Sequence, residues 1–320
     1  MRRKVSLMLL IFVLTMLSGC GFIERVFTND NETYRITFVV DGMETEYYEV
    51  TAIEKLKPVE APIKENYTFE GWFTKDGIKY DFSLPVRNSF YLYAKFTPDY
   101  GTLINTISQS TIKANVEIQA KSYNTILGRD SSTSFGSGII IDEQDGYYYV
   151  LTNSHVVYPQ SGYKYIKYTI EDYIGNSYTA TVYNSSINPN YDLATLRFKK
   201  TIANLNTIEL AKVNPVIGEE VIAIGQPKGQ NNAITFGQIS AFRKIDLAEP
   251  SESSTVAFPV IAHNAPTDGG SSGGALLSIS LKLVGVSFAG SKTDNNEFKF
   301  SYAIPIEKVW EYLTIYVYTI

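Results

Sequence analysis

The stretch that decides the fold reads Asp268-Gly269-Gly270-Ser271-Ser272-Gly273-Gly274-Ala275-Leu276-Leu277. Its glycines and serines predict a sharply turning loop, and the apolar residues that follow predict a strand entering a core. Because glycine has no Cβ, backbone N–H groups in such a loop can point inward without a clash. Two N–H groups beside a serine hydroxyl can hold a developing oxyanion. We therefore hypothesise that Ser272 is an acylating nucleophile; the alternative is a flexible surface loop.

A nucleophilic serine needs a base and a carboxylate that orients the base. The sequence has only two histidines, which makes the search for the base short. His155 lies just past the apolar run at 149–151, and Asp192 begins a strand after a polar turn. Taken singly, these are ordinary core, surface or turn residues. Together, in the chain order His155, Asp192 and Ser272, they predict a catalytic triad.

The chain from residue 112 onward reads as many short strands separated by glycine, asparagine, aspartate and serine turns, which indicates a mainly β sandwich or barrel. A dozen candidate strands suggest two six-stranded halves, with His155 and Asp192 in the first half and Ser272 in the second. The end of the chain predicts a helix after Pro305 with one apolar face. The candidate strands span 114–120, 136–142, 147–152, 165–171, 177–184, 193–198, 220–224, 237–242, 255–261, 274–278, 281–289 and 299–304.

Six segments in this order over roughly residues 112–313 resemble a trypsin-like serine protease of the HtrA/DegP type, which has the triad order of the chymotrypsin class. They are Gly136-Ser137-Gly138-Ile139-Ile140-Ile141-Asp142, Leu151-Thr152-Asn153-Ser154-His155-Val156-Val157, Asp192-Leu193-Ala194-Thr195-Leu196, Ala223-Ile224-Gly225-Gln226-Pro227, Thr235-Phe236-Gly237-Gln238-Ile239-Ser240 and Gly270-Ser271-Ser272-Gly273-Gly274-Ala275-Leu276. The resemblance implies a chymotrypsin-like double β-barrel.

The resemblance also implies roles for individual residues. Ser272 would be the nucleophile, His155 the general base and then the general acid, and Asp192 the group that fixes the histidine tautomer. The N–H groups of Gly270 and Ser272 would form the oxyanion hole. A further set would pair with an extended substrate strand through main-chain hydrogen bonds. The residues expected to bind the substrate strand are Val286, Ser287 and Phe288, in the segment 286–290 that continues to Ala289 and Gly290.

The sequence departs from the family pattern just before the nucleophile. Ser271 stands where the family usually has asparagine, and the preceding loop reads Pro266-Thr267-Asp268-Gly269, so the geometry of the oxyanion loop is open to change. Pro266 occupies the place where trypsin carries its lysine- and arginine-selecting acid. We therefore do not expect specificity for Lys or Arg at P1. We expect a small or medium apolar residue at P1. The chain ends soon after the last predicted helix, so no PDZ domain is expected.

The N-terminus carries the pattern of a secretion signal. Arg2, Arg3 and Lys4 precede a thirteen-residue apolar run that is too short to span a bilayer. Small residues then lead to Cys20, the only cysteine of the chain. This resembles the lipobox of bacterial lipoproteins, with residues 1–19 a signal peptide and Cys20 the lipidated residue; the alternative is an ordinary signal peptide. A lipid-anchored protein on the extracellular face of the bacterial cell membrane is expected.

Residues 20–33 are predicted to be a tether, residues 34–98 a small β-rich domain and residues 99–111 a linker containing a short helix. The small domain resembles one copy of the Listeria–Bacteroides repeat through Glu65-Asn66-Tyr67-Thr68-Phe69-Glu70-Gly71-Trp72-Phe73 and the later Leu92-Tyr93-Ala94-Lys95-Phe96. The resemblance implies a compact β-grasp-like module that is a spacer or a protein-binding surface. Its aromatic residues are expected to form its core.

Composition excludes several classes of function. The 320 residues carry a formal charge of −5 without a lysine/arginine stripe, which argues against nucleic-acid binding. One cysteine permits no intrachain disulfide, and no His/Cys/Asp cluster predicts a metal site, so His263 is interpreted as structural. We predict a serine endopeptidase domain at residues 112–320 that needs no cofactor and acts on proteins or peptides. The alternative is a catalytically weak protease-like adhesin or protein-binding module.

Overall fold

The computed structural model describes residues 32–125, 130–201, 205–226, 232–245, 252–292 and 298–318. It divides into two compact units, Met1–Asp99 and Tyr100–Ile320. The predicted signal peptide, Cys20 and nearly all of the predicted tether lie outside the described residues. Within the described ranges, no helix is long and apolar enough to cross a membrane.

The first unit is a four-stranded sheet in the order β2-β1-β4-β3. Its central strands β1 and β4 run parallel, while β2 and β3 pair antiparallel at the two edges. This arrangement fits the predicted β-grasp-like sheet, although the described residues 32–99 contain no helix. The strands are β1 (Thr33–Val40), β2 (Met43–Thr51), β3 (Tyr67–Phe73) and β4 (Phe90–Pro98).

The core of the first unit lies on one face of this sheet and is centred on Trp72. The Trp72 ring meets Phe38 edge-on with 4.6 Å between centroids, and it meets Phe69 at 5.5 Å. Trp72 is only 4% exposed, and full burial of a large apolar side chain stabilises a fold by roughly 2–3 kcal/mol. The predicted aromatic core is therefore confirmed for Trp72, which is buried, and for Phe69, which is half-buried and packs against the core cluster. Tyr67 and Phe73 are also half-buried.

The second unit consists of two closed six-stranded barrels, which confirms the predicted chymotrypsin-like double barrel. The order around the first barrel is β10-β7-β6-β5-β8-β9, and that around the second is β11-β12-β13-β16-β15-β14. The first barrel contains β5 (Asn115–Tyr123), β6 (Ser131–Gln144), β7 (Tyr147–Thr152), β8 (Tyr165–Glu171), β9 (Ser177–Val182) and β10 (Ala194–Lys199). The second contains β11 (Glu220–Gly225), β12 (Ala233–Arg243), β13 (Val260–His263), β14 (Ala275–Ser278), β15 (Leu283–Lys292) and β16 (Phe298–Pro305).

One predicted strand is largely wrong. The segment 255–261 was expected to be extended throughout, but the strand β13 begins only at Val260 and continues to His263. Pro259 precedes it and has no N–H to donate to a neighbouring strand, so pairing cannot continue through that position. The displaced strand carries His263 into the interior of the second barrel, where it is fully buried.

Two longer helices belong to the second unit. The first, α1 (Tyr100–Gln109), lies in the predicted linker and buries Leu103 and Ile107 completely, while Ile104 is 47% exposed. A short 3-10 turn at Thr111–Ala114 follows. The C-terminal helix, labelled α3 (Ile306–Tyr316), begins directly after β16, and its buried side includes the predicted Val309 together with Tyr312.

Candidate active site

His155 is delivered by a short helix at the end of β7. The strand ends at Thr152, and the four-residue helix α2 (Ser154–Val157) follows. The Tyr168 hydroxyl donates a hydrogen bond of 2.9 Å to the Val157 carbonyl and holds the end of this helix against β8. The His155 side chain remains 29% exposed, which leaves part of its ring open to the cleft.

Asp192 lies in a tight turn before β10. The Asn188 side-chain oxygen accepts hydrogen bonds from the N–H groups of Asn190 (3.0 Å) and Tyr191 (3.3 Å), an Asx-turn that the residue type favours. The Asp192 N–H donates to the Pro189 carbonyl at 3.1 Å, and Asp192 itself has φ +51°. Aspartate tolerates this left-handed conformation better than most residues. The Asp192 side chain is fully buried in this conformation.

The His155 and Asp192 side chains form a partly buried hydrogen-bonded pair. His155 Nδ1 lies 2.8 Å from Asp192 Oδ2 and 3.1 Å from Oδ1, and the backbone N–H of His155 donates to Oδ1 at 3.0 Å. Because a carboxylate only accepts, Nδ1 carries the proton and Nε2 is left as an acceptor. Asn153 Nδ2 donates to the Asp192 backbone carbonyl at 2.9 Å and ties the two segments together. The carboxylate is fully buried.

Ser272 follows a four-residue turn that begins at Asp268. The Ser271 N–H donates to the Asp268 carbonyl at 3.0 Å, and Gly270 in the third position has φ +98°, which glycine adopts at little cost. Asp268 Oδ1 accepts the Gly269 N–H at 2.8 Å, and Ser271 Oγ accepts the Asp268 N–H at 3.4 Å. The two residues that depart from the family pattern, Asp268 and Ser271, therefore cap this turn with their own side chains.

The Ser272 hydroxyl donates to the Phe288 carbonyl at 3.4 Å, so in this state it is directed to β15 and not to the His155 ring. Within the described residues, the backbone N–H groups of Gly270 and Ser272 donate to no protein acceptor. Both donors are therefore available to an incoming oxygen atom. A hydroxyl with a long resting hydrogen bond can turn to a base when substrate arrives, since such contacts commonly tighten only in the complex.

The predicted substrate-binding strand is available only in part. Ser287 uses both backbone groups inside the protein: its N–H donates to the Gly274 carbonyl (2.9 Å) and its carbonyl accepts the Gly273 N–H (2.8 Å). Val286 lies between β14 and β16, which pair with it on both sides. A bulge at Phe288 then turns its carbonyl towards Ser272. The first residue of β14, Ala275, pairs with Val286, so β14 does not extend alongside Phe288. The open edge of β15 therefore begins at Phe288.

Ser137 on β6 touches the nucleophile turn, and sequence reasoning missed it. Its N–H donates to the Ser272 carbonyl at 2.7 Å, and its hydroxyl donates to the Gly270 carbonyl at 2.8 Å. A Cβ on Gly273, which has φ +85°, would lie 2.1 Å from the Ser137 carbonyl oxygen. The segment around Ser137 was noticed only as a likeness to a family. The alternating pattern of β6 predicts a strand but cannot predict a contact with residues more than 130 positions later in the chain.

A cleft of about 210 Å³ adjoins Ser272. Thr267, Asp268, Ser287 and Phe298 are among its lining residues. A larger cavity of about 900 Å³ lies beside α3 and is not lined by His155 or Ser272, so volume alone does not identify the site. No group of His, Cys, Asp or Glu within the described ranges could hold a metal ion.

Comparisons with known proteins agree with this geometry. Residues 136–286 match a family model described as the trypsin-like peptidase domain, and residues 34–95 match one described as the Listeria-Bacteroides repeat domain. The periplasmic serine endoprotease DegP of Escherichia coli (strain K12) is 32% identical over 178 residues, which are 55% of this chain and 34% of that protein.

Two further relatives show the same likeness. A probable periplasmic serine endoprotease DegP-like of Buchnera aphidicola is 31% identical over 177 residues, 55% of this chain and 35% of its own length. The serine protease Do-like HtrA of Bacillus subtilis (strain 168) is 31% identical over 205 residues, 60% of this chain and 43% of its own. The matched part thus spans less than half the length of these relatives.

Proposed function

We propose, from the premise that this chain carries a trypsin-like peptidase domain after a Listeria–Bacteroides repeat domain, that it is a serine endopeptidase. The observation that carries the proposal is the His155–Asp192 pair at 2.8 Å. The Ser272 turn lies against β6 of the barrel that holds this pair, joined by the Ser137 N–H to Ser272 carbonyl bond of 2.7 Å. This contact supports the proposal that the His155 imidazole and the Ser272 hydroxyl act together as base and nucleophile.

The reaction proceeds through an acyl-enzyme on Ser272. The hydroxyl oxygen attacks the carbonyl carbon of the scissile peptide bond while its proton passes to His155 Nε2. His155 then gives this proton to the leaving amine as the C–N bond breaks. A water molecule next attacks the acyl carbon, loses a proton to Nε2 and releases the acid as Ser272 regains its proton. Asp192 holds the Nδ1–H and stabilises the imidazolium formed in each step.

The Gly270 and Ser272 N–H groups bind the oxyanion in this mechanism. Each is unused by the described protein groups, so neither needs to break a bond before it donates to the oxyanion. The substrate strand pairs with the open edge of β15 from Phe288 onward, and the Phe288 carbonyl accepts the N–H of the P1 residue. The small cleft lined by Thr267 and Phe298 takes the P1 side chain, for which we propose a small or medium apolar residue.

The alternative function, a catalytically weak adhesin, is the weaker candidate. A binding module has no need for a buried aspartate that hydrogen-bonds a half-exposed histidine, since burial of a carboxylate costs free energy unless it is paired. Two features favour it, the unusual oxyanion loop and the neighbouring repeat domain. The loop is a turn capped by Asp268, and the N–H groups of Gly270 and Ser272 have no acceptor among the described residues, which supports the peptidase proposal.

Ser272→Ala tests the proposal. We expect casein cleavage by the purified protein to fall by at least about 10³-fold, with the melting temperature unchanged. A fluorophosphonate probe should label wild-type protein at Ser272 and leave the variant unlabelled. Ser132→Ala serves as the matched control, because Ser132 is a β6 serine paired with Ser122 and away from the Ser272 turn. Undiminished casein cleavage by Ser272→Ala would show that Ser272 is not the nucleophile.

For localisation we propose a lipid anchor at Cys20 on the extracellular face of the bacterial cell membrane. The support is the basic, apolar and small-residue pattern of residues 1–19 before the only cysteine of the chain. Two acyl chains on the mature N-terminus would hold the protein stably, where one chain would not. The substrates are then extracellular or envelope proteins.

Cys20→Ser tests the anchor. In cells fed an alkyne analogue of palmitate, wild-type protein should become labelled and enter the detergent phase of Triton X-114. The serine variant should remain unlabelled and aqueous. Equal labelling of both proteins would place the lipid at another residue, and labelling of neither protein would exclude it. For the repeat domain at residues 34–98 we propose the role of a spacer or protein-binding surface, so its deletion should leave casein cleavage intact.

A further inference from the structure

The hydrogen bonds of Ser137 link two of the three segments that form the candidate site, those of His155 and Ser272. This residue is fully buried on β6 of the first barrel. Its carbonyl accepts the Thr152 hydroxyl at 2.7 Å, and Thr152 ends the strand that leads to His155. Its N–H donates to the Ser272 carbonyl at 2.7 Å. One residue thus contacts both the segment that carries the base and the turn that carries the nucleophile.

The Ser137 hydroxyl has a fixed direction. The Gln226 N–H can only donate, and it lies 2.9 Å from Ser137 Oγ, so the hydroxyl oxygen is the acceptor there. The Gly270 carbonyl can only accept, so the hydroxyl proton points to it over 2.8 Å. Both hydrogen-bonding functions of the hydroxyl are used, and each joins the first barrel to the second.

These bonds restrict the peptide that presents the oxyanion donor. The Gly270 N–H belongs to the Gly269–Gly270 peptide, which has no partner of its own among the described residues. The peptide before it is held by Asp268 Oδ1, which accepts the Gly269 N–H at 2.8 Å. The peptide after it is held by the Ser137 hydroxyl through the Gly270 carbonyl. Without the hydroxyl, this peptide keeps the bond of 3.0 Å from the Ser271 N–H to the Asp268 carbonyl but loses the bond at its own carbonyl. It therefore gains freedom to rotate about the glycine dihedrals, which have no Cβ to limit them.

We propose that Ser137 is a positioning residue for the peptidase reaction: it fixes the Gly270 carbonyl and thereby keeps the Gly270 N–H directed at the oxyanion. This inference rests on the proposed function. It differs from a general structural role, because a buried hydroxyl that only supports the fold would affect stability and leave kcat unchanged. A misaligned donor lowers kcat, since the oxyanion forms only after the substrate has bound.

Ser137→Ala tests the proposal, with Ser122→Ala as the matched control. Ser122 is also a buried barrel serine, and its hydroxyl accepts the Gln160 N–H at 3.3 Å far from the Ser272 turn. We expect Ser137→Ala to lower kcat on a peptide substrate by about 10- to 100-fold with KM within about twofold. Amide hydrogen exchange of segment 266–274 should rise in this variant and remain unchanged in the control.

Ser137→Cys keeps the size of the side chain but donates weakly, so it covers the case in which the alanine variant does not fold. We expect it to fold and to show intermediate losses of kcat and of exchange protection. The proposal is overturned if a folded Ser137 variant matches Ser122→Ala in kcat and in exchange of segment 266–274, whatever its melting temperature. If wild-type protein does not react with a fluorophosphonate, the peptidase function fails, while the exchange comparison still tests Ser137.

Discussion

The two histidines of this protein, one in each barrel, occupy opposite environments. His155 is 29% exposed, and its ring and backbone N–H groups both donate to a buried carboxylate. His263 is fully buried at the end of β13, and neither ring nitrogen has a hydrogen-bond partner among the described residues. Burial lowers the pKa of His263 to about 4, and the nearby Ala265 backbone acts in the opposite direction without reversing this shift.

The difference shows that the surroundings, not the residue type, decide what a histidine can do. A base must reach the cleft with one nitrogen while the other is held by an acceptor. His155 meets both conditions because a turn brings Asp192 under it. His263 meets neither, since it is fully buried and neither ring nitrogen has a hydrogen-bond partner among the described residues, and its lowered pKa keeps it neutral near pH 7.

The largest effect should come from Asp192→Asn, which removes the carboxylate that distinguishes the surroundings of His155 from those of His263. An amide facing Nδ1 favours the wrong imidazole tautomer, so we expect kcat to fall by about 10⁴-fold with the fold retained. Asp172→Asn is the matched control, because Asp172 is also buried in the first barrel and accepts hydrogen bonds from Asn176 and Tyr178. Steady-state kinetics on one peptide measure both. Equal kcat values for the two variants would contradict the assignment of Asp192.

The next largest effect is a pH dependence of the free energy of unfolding that is caused by His263. Because the pKa of folded His263 lies near 4 and the ordinary value is 6.5, the unfolded chain binds a proton in this interval that the folded chain does not. The free energy of unfolding should therefore decrease as the pH falls from about 6.5 to about 4, by up to about 3 kcal/mol. Urea unfolding at several pH values should show this extra loss in the wild type and not in His263→Leu. Identical pH slopes would assign the loss to other groups.

Gly273→Ala should disturb the junction between the barrels. The added Cβ would lie 2.1 Å from the Ser137 carbonyl oxygen at φ +85°, so we expect a loss of at least about 2 kcal/mol of unfolding free energy and a lower kcat. Gly269→Ala, four positions away, is the control, because nothing lies within 4 Å of a Cβ there. Its stability should remain within about 0.5 kcal/mol of wild type. Comparable losses in both variants would show that the junction is not tightly packed.

The smallest effect should come from Asn153→Ala, which removes the hydrogen bond to the Asp192 carbonyl but leaves the carboxylate in place. We expect kcat to fall by about 5- to 10-fold, the equivalent of about 1 kcal/mol. Asn214→Ala is the control, because Asn214 donates a similar bond to Glu307 on the protein surface. A wild-type kcat for Asn153→Ala would mean that the turn before β10 holds Asp192 without help from β7.

The sequence was a good guide wherever the signal was local. Short apolar or β-prone segments between turn residues predicted the strands at 147–152 and 165–171 with the bounds that the structure has. Prediction failed where a single backbone detail decided the outcome. Pro259 shortened β13, and a bulge at Phe288 turned a carbonyl towards Ser272. Such a bulge depends on pairing with β16, which no pattern within β15 encodes.

The sequence by itself determined a mainly β domain of two six-stranded halves, the triad candidates His155, Asp192 and Ser272, and the glycine turn before Ser272, while the double-barrel class was implied by the family resemblance. These follow from residue types and their order, because strand alternation and scarce chemical groups are visible along the chain. Only the tertiary structure decided that Gly270 and Ser272 keep free N–H groups and that Ser137 holds the turn. The reason is physical: these are contacts across the two barrels, between residues distant in sequence, and their directions are set by packing.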